Sequence, residues 1–140
     1  MCTDSRTVKL TDVVYPTKCD DGTLKADSAL IRWSELSLEA SIEFGRPVNS
    51  ALKYKSQLEE AGFVDVVQTE LVWPVGSWRK SKELKELGIW ARENFLSALH
   101  AGSIVLFTKG LGWSEEEVEA FLVDVRKDIK NPAIHSYWSV

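Results

Sequence analysis

Apolar and polar positions alternate from Thr7 to Tyr15, "TVKLTDVVY", which predicts a strand. A polar loop follows, with an Asp-Gly turn at Asp21-Gly22. The period then changes. Ala29, Leu30, Trp33, Leu36, Leu38, Ala40 and Phe44 recur near helical spacing, so a helix is expected from about Ser28 to Phe44. Asp27 is its expected N-cap, and Gly45 its stop. A second helix is expected from Ser50 to Ala61, closed by Gly62. "FVDVVQTELVW", Phe63 to Trp73, reads as a second strand ended by Pro74 and Gly76. From Ser81 to Lys109 a broad apolar stripe predicts a third helix, with Gly88 and Gly102 as points of bending or division. "SEEE", Ser114 to Glu117, is a capping box, and its helix runs to about Lys130 before Asn131-Pro132. "AIHSYWSV" reads as a short aromatic tail, and residues 1–6 as a frayed end.

These elements fit one domain across the 140 residues, with no repeat and no low-complexity linker. A net charge of −4 argues against nucleic acid and against an anionic membrane surface, since both are bound by Lys and Arg. Cys2 and Cys19 suit neither a disulfide framework nor a metal cluster, and reduced thiols in a cytoplasmic setting are expected. No apolar run reaches membrane-spanning length or resembles a signal peptide. Six tryptophans change the picture more. That much aromatic surface must line a core, an interface or an apolar pocket.

Four segments carry a family likeness: "YPTKCDDGTLKADSALIRW", "LEEAGFVDVVQTELVWPVGSW", "ELKELGIWARENF" and "LGWSEEEVEAFLVDVRKDIKNPAIHSYW". In order and spacing they resemble the C-terminal half of fungal class I S-adenosylmethionine-dependent methyltransferases of the secondary-metabolism type. The resemblance implies that Val8–Val14 corresponds to the fifth strand of the family's sheet and Phe63–Trp73 to the sixth, with the family's last strand falling beyond Trp138. The family's Gly-rich loop and ribose-binding acid find no match here. The one close glycine pair, Gly110 and Gly112, lies between helices rather than after a strand. The expectation is an α+β domain, mostly helical with a small residual sheet, resembling a truncated methyltransferase that lacks its cofactor-binding half. No cofactor, no metal and no methyl transfer by this chain alone are expected.

The candidate site residues follow from this layout. The loop after the first strand offers Tyr15, Lys18, Cys19, Asp20 and Asp21, at the sheet edge where open α/β folds place ligands. A plain turn is the competing reading of the two aspartates. His100 and His135 are candidate acid–base or hydrogen-bonding groups, with helix-face and tail packing as the alternatives. Trp33, Trp73, Trp78, Trp90 and Phe95 are candidate walls of an apolar substrate pocket, or else plain core. Arg32 and Arg92, beside Trp33 and Trp90, read as solvated helix-surface groups. With Tyr15, Asp20, His100 and His135 as polar members, these residues suggest a cofactor-free cyclase or isomerase, such as a pericyclase, acting on a small apolar natural product. The alternative is a non-catalytic scaffold partner of a full-length methyltransferase. Sheet edges left without strands imply a homodimer.

Overall fold

The structure is a computed structural model, and it describes residues 6–140. Cys2 and the rest of the first five positions lie outside the described residues. The architecture is α+β: four helices on a three-stranded antiparallel sheet of order β1-β3-β2.

Strand β1 is Val14–Lys18, so the expected Thr7–Tyr15 strand lies several residues too early. Residues 16–18, expected in the loop, belong to the strand: β1 is an edge strand, where Pro16, a residue without an N–H, is tolerated. The register between β1 and its neighbour shifts between Val14 and Lys18, around that proline. Strand β2 is only Val72–Pro74. Residues 63–71, expected as strand, have strand-forming side chains but no neighbouring strand over most of their length, and Val64 and Val67 are exposed. Leu71 alone continues the ladder, exchanging backbone hydrogen bonds of 2.8 and 2.9 Å with Val140. The largest correction concerns the tail. Tyr137–Ser139 is β3, the central strand, so Trp138 lies within a strand rather than before one. It pairs Trp138 with Trp73 and Tyr137 with Pro74 on one side, and Tyr137 with Lys18 on the other.

Helix α1 is Ala29–Glu43, capped by Ser28 rather than Asp27. The Ser28 hydroxyl accepts the Ile31 N–H, which satisfies a first-turn donor. The expected Ser50–Ala61 helix is a 3₁₀ turn at Ser50–Lys53 followed by α2, Tyr54–Glu60. Helix α3, Lys82–Val105, runs unbroken through Gly88 and Gly102. Gly88 serves close approach instead: its carbonyl accepts the Gly76 N–H at 2.9 Å, and a Cβ there would collide with the Gly76 carbonyl. A π-helical segment, Leu106–Gly110, ends this stretch. Its Gly110 packs on α1, where a Cβ would come within 2.9 Å of the Ala40 carbonyl oxygen. Helix α4, Glu115–Lys130, opens with both halves of the Ser114–Glu117 capping box formed.

Helices α1, α3 and α4 converge on a core of Leu30, Trp33, Leu99, Phe107, Val118, Leu122, Val125 and Ile129. The Trp33 indole N–H donates to Ser103 Oγ at 2.8 Å, and that hydroxyl donates to the Leu99 carbonyl. A buried polar pair on facing helices is thus satisfied within the core.

Candidate functional site

The expected site residues fall into two groups and two outliers. Tyr15, Trp33 and Phe95 meet around Trp138, which β3 carries into the core. Ring centroids lie 4.8 Å apart for Tyr15–Trp138, 5.1 Å for Trp33–Phe95 and 5.5 Å for Phe95–Trp138. At those separations neighbouring rings fill each other's space. Burial pushes the Tyr15 hydroxyl above its ordinary range, with the charge of Asp12 adding to it. Trp73 packs against the same core through its pairing with Trp138.

The second group lies where the β1 exit loop meets the start of β3. Asp21 and Gly22 form the expected turn, with Gly22 at φ 74°. Asp21 Oδ1 accepts from the Thr23 hydroxyl at 2.7 Å, the Thr23 N–H at 3.1 Å and the Cys19 thiol at 3.2 Å. Its other oxygen, Oδ2, lies 2.5 Å from His135 Nδ1. The Thr23 side-chain bond first, and the His135 bond second, hold the Asp21 carboxyl far below the usual carboxylate range. The His135 backbone N–H donates to the Thr23 hydroxyl at 2.8 Å, which ties the two segments together. The imidazole stacks on Trp78 with centroids 5.2 Å apart and planes 19° apart. Trp78 is itself anchored by its indole N–H, which donates to the Ser136 carbonyl at 3.0 Å.

Asp20 turns the other way and accepts the Tyr137 hydroxyl at 2.9 Å. That bond is the first cause raising the Tyr137 hydroxyl above its ordinary range. His135 and Tyr137 are two residues apart on one extended stretch, and each meets one of the adjacent aspartates. Lys18 Nζ donates to the Ser139 hydroxyl at 2.9 Å and reaches Glu70 at 3.4 Å.

The tautomer of His135 follows from its partner. An ionised Asp21 offers only lone pairs, so Nδ1 must carry the hydrogen. The neutral ring then presents an unprotonated Nε2, which has no hydrogen-bond partner among the described residues. The arrangement is an oriented imidazole with one nitrogen committed and the other available for proton transfer.

His100 and Trp90 join neither group. His100 stands on α3 and pairs with Glu119 of α4 at 2.5 Å, its side chain more than half exposed. Trp90 is 74% exposed. Arg32 lies over Phe121, and Arg92 pairs with Glu93. An open concavity of about 560 Å³ between α3 and α4 is lined by polar groups such as Arg92, Arg126 and Lys130 rather than by the tryptophans. Among the described residues no group of His, Cys, Asp and Glu is arranged to hold a metal ion. No helix of the described residues is long and apolar enough to cross a membrane.

Sequence reasoning missed Thr23, Arg79, Tyr137 and Trp138. The spacing of His135, Tyr137 and Ser139 was the available signal, because a period of two aligns side chains on one face of a strand.

The fold and this polar cluster describe a small α+β domain with one oriented histidine beside a sheet edge. Sequence kinship makes the class specific. The chain is 34% identical over 133 residues to the probable methyltransferase tdiE of Emericella nidulans, covering 95% of this chain and 42% of that protein. It is 36% identical over 117 residues to the methyltransferase pytC of Aspergillus terreus, covering 84% and 36%. The secondary metabolism regulator laeA of Fusarium oxysporum f. sp. lycopersici is 27% identical over 130 residues, covering 92% and 41%. No family model and no solved structure matches the chain. The chain is therefore homologous to part of the fungal methyltransferases and secondary-metabolism regulators. It spans about two fifths of the length of the curated relatives it matches.

Among the described residues no glycine-rich loop joins a strand to a helix N-terminus. The one close glycine pair belongs to the joint before α4, where Gly110 is closed off by Ala40.

Proposed function

We propose that this chain is a cofactor-independent isomerase or cyclase of fungal secondary metabolism whose proton carrier is His135. The observation that supports it is the Asp21–His135 pair, with Nδ1 held and Nε2 available. The methyltransferase and regulator names of the relatives support the metabolic setting. In this reading Nε2 takes a proton from one atom of the substrate, and the ring becomes an imidazolium stabilised by Asp21. The same proton then returns to another atom of the same molecule. No atom is gained or lost, and no co-reactant is needed. Trp78 holds the plane of the ring, so the imidazole does not have to be ordered at each turnover.

A pericyclase relying on shape alone draws less support, because Tyr15, Trp33, Phe95 and Trp138 occupy the space their cavity would need. The scaffold reading draws support from a different observation. Val64 and Val67 are 83% and 84% exposed, on a stretch with strand-forming side chains. Binding to a full-length methyltransferase or to a second copy would cover them.

The test uses extract from a fungal strain deleted for this chain, incubated with the purified protein, with and without S-adenosylmethionine. The expected result is conversion of one metabolite to a product of equal mass, independent of the cofactor and lost in His135→Gln. A product heavier by one methylene, or full conversion by His135→Gln, overturns the proposal.

A further inference from the structure

Arg79 is the one member of the second cluster whose charge is left over. Its guanidinium carbon lies 4.7 Å from the centroid of the Trp78 ring, the same ring on which His135 stacks. Its Nε is buried and has no hydrogen-bond partner. It makes no ion pair among the described residues, whereas the carboxylates nearby are engaged. Asp20 holds the Tyr137 hydroxyl, Asp21 holds Thr23 and His135, and Glu70 is reached by Lys18. A guanidinium is always charged and presents a planar fork of donors. Holding it partly buried with no anion is unfavourable unless something else supplies one.

We infer that Arg79 is the anchor for a carboxylate on the molecule that His135 acts upon, so that the site takes a small carboxylic acid. The inference rests on the proposed role of His135 and names the substrate class of that site. Arg79 and His135 both lie against the Trp78 ring. A carboxylate matches the guanidinium fork with two parallel hydrogen bonds. Asp20, Asp21 and Glu70 are each engaged by other groups of the chain, so none of them serves as its anion. One guanidinium carries a single positive charge, which matches a monoanion.

The test is a nuclear magnetic resonance titration of the full chain with benzoate, benzamide as its uncharged isostere, and inorganic phosphate. The parent, Arg79→Lys, Arg79→Gln and His135→Gln are compared, with folding read from the amide spectrum. Benzoate is expected to shift the Arg79 Nε–H, Trp78 indole and His135 ring signals saturably. Benzamide and phosphate are expected to leave them in place. Arg79→Gln should weaken benzoate on the order of tenfold or more, Arg79→Lys should restore part of the loss, and His135→Gln should still bind. Benzoate shifts that do not saturate, that benzamide or phosphate reproduces, or that survive in Arg79→Gln overturn the inference. The two readings fail separately. Loss of conversion in His135→Gln without benzoate binding sinks only the carboxylate anchor. Benzoate binding with full conversion by His135→Gln sinks only the proton carrier.

Discussion

The aromatic cluster around Trp138 and the polar cluster around His135 lie three residues apart in sequence and differ in what their groups have left to do. In the first, every ring is packed by another ring, and the Trp33 indole N–H is satisfied by Ser103. In the second, His135 has one nitrogen bonded and one without a partner, and Arg79 has a buried donor without an acceptor. The rings of the first cluster are spent on packing, whereas the second keeps hydrogen-bonding capacity, on which the proposed chemistry rests.

The sharpest way to break that comparison is to exchange the expected outcomes. Trp33→Ala should cost about 3–5 kcal/mol of stability, because it removes a large buried side chain and its hydrogen bond to Ser103. Urea unfolding measures it, and a loss near zero would mean that the cluster is loose enough to be a cavity. His135→Gln should leave the unfolding midpoint close to the parent's while lowering the mass-neutral conversion on the order of 10²–10⁴-fold. A conversion rate that follows Trp33 and ignores His135 would return the function to the aromatic cluster.

Smaller effects sharpen the contrast. Ser114→Ala should cost about 1 kcal/mol through loss of the capping box, with conversion by the folded fraction unchanged. An identical midpoint would show that the box contributes nothing. The mildest effect is on acid stability. The Asp21 carboxyl is depressed below its ordinary value of 3.8, chiefly by Thr23 and then by His135. A depressed acid stabilises the fold above its unfolded value, and that contribution is lost as the pH falls through the lower folded value. The parent should therefore lose stability more steeply than Asp21→Asn as the pH drops below 3.8. Parallel acid limbs would show that the Asp21 bonds do not persist in solution.

The helices were legible to within a residue or two where caps are local. Ser114, Glu117 and Asn131 bound α4 by chemistry read within a few positions. Strands were harder, because pairing depends on residues far away. Val14 and Tyr137 belong to adjacent strands, yet nothing local to either indicates the other. A three-residue strand such as β3 is too short to show a period, so its residues looked like a tail. Residues 63–71 failed in the opposite direction: the side chains suit a strand, but only the last of them finds a partner. Tryptophan count announced burial without saying against what, and Trp90 is exposed all the same. Asp20, Asp21 and His135 were legible as residue types. Their pairing was not, since it is made by the antiparallel return of β3 beside β1. Arg79 carried no sequence signal beyond its place after Trp78.

The central claim is that Asp21 holds one nitrogen of His135 and leaves the other able to carry a proton. The most direct measurement is the long-range nitrogen–proton correlation spectrum of the His135 ring at about pH 9, above the ordinary histidine range. The account predicts a protonated Nδ1 and a bare Nε2 in the parent, with this preference lost in Asp21→Asn. A ring protonated on Nε2, or one averaging freely between the two forms in the parent, would contradict it.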